Sequence, residues 1–304
     1  MADVAAGPPS AGPRLLRVVG LVRYRFFLFA GVLPYLLGAA WAFAIAGRFD
    51  AFVFWVGLAG IGLSVVGVEA FNEYFDARMG TDRIFNPADL PPITIAVFVV
   101  GVVAFAAALA VGVYLTRVAG WPILVFAMLG GMAAIFYEAP PIRWCYRGLG
   151  ETMIGLAYGP WMVLGSLYLH TQALSWAALA ASLVPGLLIT ALAVVNAVPD
   201  FHQDRLVGKR NLVVRLGRRR GVVLYLALSA LALGVVLAGV ILRAFPVFCL
   251  AALLSVPLLV KSGRIGLRTF EHPREFLPAV RSIVACYVVA AGLFTAGVMA
   301  SRLL

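Results

Sequence analysis

The chain has 304 residues, is 63% hydrophobic and only 12% charged, and carries a formal charge of +11. Ordinary soluble domains are roughly 45–50% apolar and about 25% charged, so the composition argues against a water-soluble fold and makes lipid the solvent. The basic residues lie in short segments between apolar runs, which argues against a nucleic-acid partner. Cys145, Cys249 and Cys286 stand too far apart for a zinc site or a disulfide framework and read as packing residues.

In chain order, Met1 to Pro13 is small and Pro-rich with no apolar stretch, unlike a cleaved signal peptide. Residues 1–22 are read as a cytoplasmic tail and residues 23–304 as a single membrane domain. Nine apolar segments follow: Arg23 to Ala46, Ala51 to Tyr74, Ile93 to Thr116, Trp121 to Tyr137, Gly150 to Leu169, Ser175 to Val198, Val222 to Leu242, Phe245 to Val260 and Phe276 to Ala300. The eighth is shortest, close to the ~17-residue lower limit for crossing a bilayer. The predicted fold is all-α, a polytopic membrane bundle with nine transmembrane helices.

Nine crossings place 20 of the 24 Lys and Arg residues on one side and leave Arg48, Arg117, Arg243 and Arg302 on the other. Positive charge accumulates on the cytoplasmic side of membrane proteins, so this predicts a cytoplasmic N-terminus and an external C-terminus, in the plasma (inner) membrane of the cell. Gly57, Gly60, Gly62, Gly67, Gly130 and Gly131 fall within spans, where small residues let helices approach closely.

Acidic residues are scarce, yet they gather at two span ends on the predicted cytoplasmic side. One cluster runs from Asn72 through Asp76 and Arg78 to Asp82, the other from Asn196 through Asp200 to Asp204. Residues four apart share a helix face, so Asn72 stacks on Asp76, and Asn196 on Asp200 and Asp204. Gly80 can end the first helix and return Asp82 to the same place. Each ladder offers only oxygen ligands, which suits magnesium, an ion that binds through one or two carboxylates while substrate phosphates and water complete its shell. Two such ladders suggest a diphosphate clamped between a pair of ions. Pro199 lies inside the second ladder and predicts a kink or a helix end.

Lys209 and Arg210 follow the second ladder and can meet phosphate oxygens, or simply belong to the positive cytoplasmic loop. Arg23 and Arg25 open the first span and can reach in from another wall or snorkel to the interface. If the bond to diphosphate ionises, aromatic faces can shield the cation; Tyr74, Phe75, Phe136, Tyr137, Tyr146, Tyr158 and Trp161 flank the polar segments, although packing or the interfacial belt is the better reading of any one of them. The segment from Tyr137 to Glu151, which includes Arg147, lies on the same side and can close over the site. Glu151 is either a partner for its own helix N-terminus or a contact for the acceptor. His202, His170 and His272 read as surface residues.

These motifs resemble the UbiA-type intramembrane prenyltransferases, and within them the 1,4-dihydroxy-2-naphthoate polyprenyltransferases of menaquinone synthesis. The resemblance rests on Asp200-x-x-x-Asp204-Arg205-x-x-Gly208-Lys209 with Leu212-Val213-Val214-Arg215-Leu216-Gly217, on Asn72-x-Tyr74-Phe75-Asp76 with Gly80-Thr81-Asp82, and on Tyr146-Arg147-Gly148-Leu149-Gly150-Glu151. It implies magnesium-dependent transfer of a polyprenyl group from its diphosphate to a small aromatic acceptor. By this resemblance Asn72, Asp76, Asp82, Asn196, Asp200 and Asp204 hold the metal, and Asp76, Asp200 and Lys209 are the catalytic centre. Asn72, Asn196, Arg25, Arg78, Arg147, Lys209 and Tyr137 bind substrate. Glu73, and the segment from Arg83 to Asp89, depart from the family's usual pattern. Alternatives are transfer to another aromatic acid or a lipid alcohol, phosphatidyl-alcohol transfer, and a membrane transporter; the last would place broken helices at the bilayer midplane rather than acids at helix ends.

Overall fold

The computed structural model describes residues 24–79 and 95–302, and all the regular structure in them is helical. In chain order the helices are α1 (Tyr24–Ala44), α2 (Ala51–Met79), α3 (Ile95–Ala119), α4 (Pro122–Ile135), α5 (Trp144–Arg147), α6 (Gly150–Thr171), α7 (Trp176–Ala197), α8 (Phe201–Leu206), α9 (Leu212–Leu216), α10 (Arg218–Ile241), α11 (Val247–Thr269) and α12 (Pro273–Ala300). Seven of these, α2, α3, α6, α7, α10, α11 and α12, are long and apolar enough to cross a membrane. Two shorter apolar helices, Ala30–Ala44 within α1 and Pro122–Ile135, lie at the first and fourth expected spans. The protein is an integral, multi-pass membrane protein.

The eighth expected span is longer than its sequence implies. The helix continues beyond Val260 to Thr269, and its first nine residues, Val247–Ser255, wind as a 3₁₀-helix, which rises about 2.0 Å per residue against 1.5 Å for an α-helix. Lys261, Arg264 and Arg268 therefore ride on a helix instead of forming a loop. Asp82, Arg23 and the tail through residue 22 lie outside the described residues, as does the side chain of Arg25.

Lipid gives little hydrophobic drive for helices to associate, so close contact and buried hydrogen bonds must hold the bundle together. A Cβ at Gly38 of α1 would strike the Val163 carbonyl of α6, and Gly155 and Gly159 of α6 lie directly against Gly186 of α7. Ser166 donates from Oγ to the Tyr35 carbonyl at 2.7 Å, and Tyr287 of α12 donates to the Ala30 carbonyl at 2.9 Å, tying α1 to both neighbours. Of the glycines expected to pack, Gly57, Gly60 and Gly67 do so against Tyr35, Val111 and Phe105. Gly62, Gly130 and Gly131 face open space instead, and the last two border a cavity. Cys145, Cys249 and Cys286 are buried free thiols, as expected of packing residues.

Candidate active site

Two motifs far apart in sequence meet at one mouth of the bundle. Helix α2 continues past Tyr74 to Met79, so Asn72 and Asp76 stay one turn apart on one face. The second ladder is interrupted: α7 ends at Ala197, Val198 to Asp200 form a turn containing Pro199, and α8 starts at Phe201. The Asp204 amide still donates to the Asp200 carbonyl at 2.9 Å, which keeps the two acidic residues in helical register. Gly208, at φ +79°, then turns the chain back, and Lys209 donates its amide to the Asp204 carbonyl at 2.9 Å. A side chain is strained at that φ, so glycine is what allows the reversal.

The reversal delivers Lys209 to the first motif. Its Nζ donates to Asp76 Oδ1 at 2.7 Å and to Glu138 Oε1 at 2.7 Å, and its side chain is only 10% exposed. Around it, Asn211 Nδ2 donates to Asp204 Oδ2 at 2.6 Å while Asn211 Oδ1 accepts from the Val214 amide at 2.8 Å, capping α9. Glu151 is fully buried and accepts the Leu212 amide at 2.8 Å, so it anchors the lysine-bearing segment. Arg215 donates to the carbonyls of Arg147 (2.5 Å) and Arg210 (2.9 Å), stitching that segment to the one between α4 and α6. Gly148, at φ +74°, leaves the space that Arg215 fills.

Other expected site residues have different surroundings. Arg147 is exposed and donates from Nε to the Ile142 carbonyl at 2.6 Å, bracing its own loop. Arg78 is exposed, with its guanidinium 4.8 Å from the centre of the Tyr74 ring. Tyr137 is half-buried and borders the cavity beside Asn72; Asn196 is half-buried on the last turn of α7. His202 is exposed. Sequence reasoning left Glu138 and Asn211 out of the site. Asn211 stands where an N-cap belongs, before Leu212-Val213-Val214, a signal readable in the sequence; Glu138 is a rare acid just beyond an apolar span, but nothing in the sequence around it points to Lys209.

Charge at this mouth is tightly coupled. Burial, and then the Asp76 charge, push Glu138 up to about 8 against the pull of Lys209, while burial pushes Asp204 up to about 6 against Lys209 and the Asn211 bond. Burial works to lower Lys209, but Glu138, Asp76 and Asp204 outweigh it and hold the ammonium charged. An acid whose value is raised on folding binds more protons in the folded state, so stability falls as pH rises through the interval. In chelator, the melting temperature of the detergent-solubilised protein is therefore expected to fall between about pH 4.5 and 8, and Glu138→Gln should flatten the upper part of that slope. A flat profile in the wild type would contradict this electrostatic description.

Behind the mouth lies a cavity of about 550 Å³ between α2, α3, α4 and α6. Asn72 and Tyr137 stand at one end, Tyr35 and Leu169 at the other, and the walls between are almost wholly apolar, among them Val68, Phe105 and Phe126. From Asn72 to Gly57, both on its wall, α2 extends about 22 Å at 1.5 Å per residue. Among the described residues no three Asp, Glu, His or Cys side chains gather closely enough to hold a metal by themselves. The acids Asp76, Asp200 and Asp204, with the amides Asn72 and Asn196, supply only oxygen, the donor set of an ion that leaves much of its shell to phosphate and water. A polar, metal-compatible mouth above an apolar pocket suits a molecule with an anionic head and a long hydrocarbon tail.

Comparison with known proteins agrees with this architecture. A model described as the UbiA prenyltransferase family matches residues 32–298. The chain is 31% identical to the 1,4-dihydroxy-2-naphthoate octaprenyltransferase of Mycobacterium tuberculosis over 89% of this chain and 96% of that protein. Among solved structures, a UbiA homolog from Aeropyrum pernix K1 superposes with a TM-score of 0.68 at 16% identity, covering 92% of this chain and 99% of that one. A UbiA homolog from Archaeoglobus fulgidus, bound to GPP and Mg2+, gives 0.63 at 17% identity over 95% and 100%.

Proposed function

The chain belongs to the UbiA prenyltransferase family, and from that premise we propose that it transfers a polyprenyl group from a prenyl diphosphate to 1,4-dihydroxy-2-naphthoate, with magnesium, in menaquinone synthesis. The acceptor is carried from relatives bearing that name, and magnesium from the oxygen-only donor set together with the Archaeoglobus structure bound to GPP and Mg2+. The observation that carries the reading is the Lys209 bridge, which brings the end of α2 and the segment after α7 within one hydrogen bond of each other above an apolar cavity.

In this reading Asn72 and Asp76 hold metal from one wall and Asn196, Asp200 and Asp204 from the other, with Asp82 added to the first set. Bound magnesium neutralises charge developing on the diphosphate as it leaves. The described residues do the rest. Lys209 turns its ammonium from Asp76 and Glu138 toward a phosphate oxygen, a preorganised positive group where negative charge grows. Glu138 keeps that lysine charged and aimed until the donor arrives. Glu151 and Asn211 hold the loop that carries it. The apolar cavity takes the prenyl tail and keeps water from the reacting carbon, while Tyr137 at its polar end offers an aromatic face to the allylic cation. Arg78 and Arg147 guide the anionic acceptor from the exposed rim, and Arg25 is assigned the same role.

The membrane is the plasma membrane, with the N-terminus and the active-site mouth on the cytoplasmic side, as the distribution of basic residues indicates. The test is to incubate purified protein with a labelled prenyl diphosphate and a panel of aromatic acids and lipid alcohols, with magnesium present or chelated. Lipid-soluble label is expected with the dihydroxynaphthoate and magnesium together. Label on a different acceptor, or none on any, would overturn the assignment.

A further inference from the structure

We propose that the outer face of α11 holds one anionic phospholipid, its phosphate between Lys261 and Arg264 and its acyl chains along Val256, Pro257 and Val260. The second half of this helix, Val256–Thr269, has two unlike faces. On one, Ser262 donates from Oγ to the Ala279 carbonyl of α12 at 2.9 Å, while Gly263 and Gly266 lie against Leu226 and Tyr225 of α10. On the other, Pro257, Lys261, Arg264 and Arg268 are exposed and, at spacings of four, three and four, form a single stripe. Three basic side chains thus point outward from a membrane span.

Their depth follows from the helix itself. The nine 3₁₀ residues Val247–Ser255 rise about 2.0 Å each and the α-helical residues after them about 1.5 Å each, which puts Lys261 roughly 27 Å and Arg264 roughly 32 Å from the start of α11. The hydrocarbon core of a bilayer is about 30 Å thick, so both cations stand where hydrocarbon gives way to phosphate. Val222 of α10 packs beside Gly266, so the exposed Arg219 and Arg220 at the start of α10 stand near the level of Arg268 and add positive charge.

The space beside these residues has the matching shape. An open groove of about 500 Å³ is lined by Val256, Pro257 and Val260 at its deep end and by Lys261, Arg264 and Ile265 toward the interface. It is therefore apolar where acyl chains lie and cationic where a headgroup lies. Among the described residues neither Lys261 nor Arg264 has a hydrogen-bond or ion-pair partner; Glu271 and Glu275 follow the end of the helix but pair with neither. Charge on the outside of a span is costly, and an anionic headgroup offsets that cost at the interface. A lipid seated here fixes the level at which α10 and α11 meet the membrane surface on the side of the active-site mouth.

The test follows binding of phosphatidylglycerol and phosphatidylcholine to the purified chain in detergent by native mass spectrometry. Phosphatidylglycerol should be retained in preference to phosphatidylcholine. Each basic residue near a membrane surface strengthens attraction to anionic lipid about fivefold, so Lys261→Gln should weaken phosphatidylglycerol binding about fivefold and Lys261→Gln/Arg264→Gln about 30-fold. Val260→Trp fills the groove without altering charge and should weaken binding too. Arg117→Gln/Arg243→Gln, which removes two exposed cations at the opposite end of the bundle, should leave it unchanged. All five side chains are exposed, so the variants should keep the fold, which an unchanged melting temperature in lipid-free detergent checks. Equal affinity for the two lipids, a loss in the Arg117/Arg243 pair as large as in the Lys261/Arg264 pair, or undiminished affinity in Val260→Trp would each overturn the assignment. So would displacement of the lipid by equimolar inorganic phosphate, which would make this a phosphate site, or by equimolar prenyl diphosphate, which would make it a dock for that molecule.

Discussion

Replacing Lys209 by methionine is expected to lower kcat for prenyl transfer by about 10²–10³-fold or more, the usual cost of removing one preorganised group from a developing negative charge. The same change should destabilise the protein. Lys209 sits between Asp76 and Glu138 at 2.7 Å from each, so its removal, assayed above about pH 8 where Glu138 is ionised, leaves two close carboxylates without their shared cation. Breaking a buried ion pair from one side typically costs about 3–5 kcal/mol. The double variant Lys209→Met/Glu138→Gln removes one of those charges, so it should regain much of the lost melting temperature while remaining inactive. Recovery of stability without activity separates the catalytic role of the lysine from its structural one. If Lys209→Met kept near-normal turnover, the ammonium would be only a strut between helices.

Asp76→Ala and Asp200→Ala are each expected to abolish turnover while the protein stays folded in detergent. Metal-held charge stabilisation is worth several kcal/mol in a transition state, and several kcal/mol is a factor of about a thousand or more in rate. Both residues are half-buried at the mouth, so truncation removes a ligand without hollowing the packed interior of the bundle. Glu138 still pairs with Lys209 in the Asp76 variant, which limits the structural damage. Titrating magnesium against each variant with prenyl diphosphate present checks the cause, since lost turnover should come with weakened metal-dependent donor binding. Retained activity in either variant would remove that residue from the metal site.

Much of this was legible in the sequence because lipid makes the code sparse. Apolar runs of about 20 residues mark helices almost by themselves, and an acid at the end of one stands out against them. Asn72 with Asp76 could be paired by helix periodicity alone, since α2 is regular through both. Asp200 with Asp204 survived only because the break at Pro199 falls before them, leaving their four-residue register intact. Glu138 was hidden for a different reason. It sits in a non-helical segment with no periodicity to assign its direction, and its partner Lys209 is 71 residues away. Gly130 and Gly131 look the same in sequence as Gly67, yet only the structure distinguishes a glycine that admits a neighbour from glycines that border a cavity. The length of α11 was underestimated because charge on a helix and charge in a loop read alike.

The proposed function requires one diphosphate to be gripped from both walls of one mouth. Anomalous diffraction from crystals grown with manganese and an unreactive prenyl thiodiphosphate tests it most directly. Manganese is expected at Asp76 and at Asp200 or Asp204, joined through the diphosphate oxygens, with the prenyl tail running toward Tyr35. Manganese confined to one motif, or a diphosphate seated away from Lys209, would contradict it.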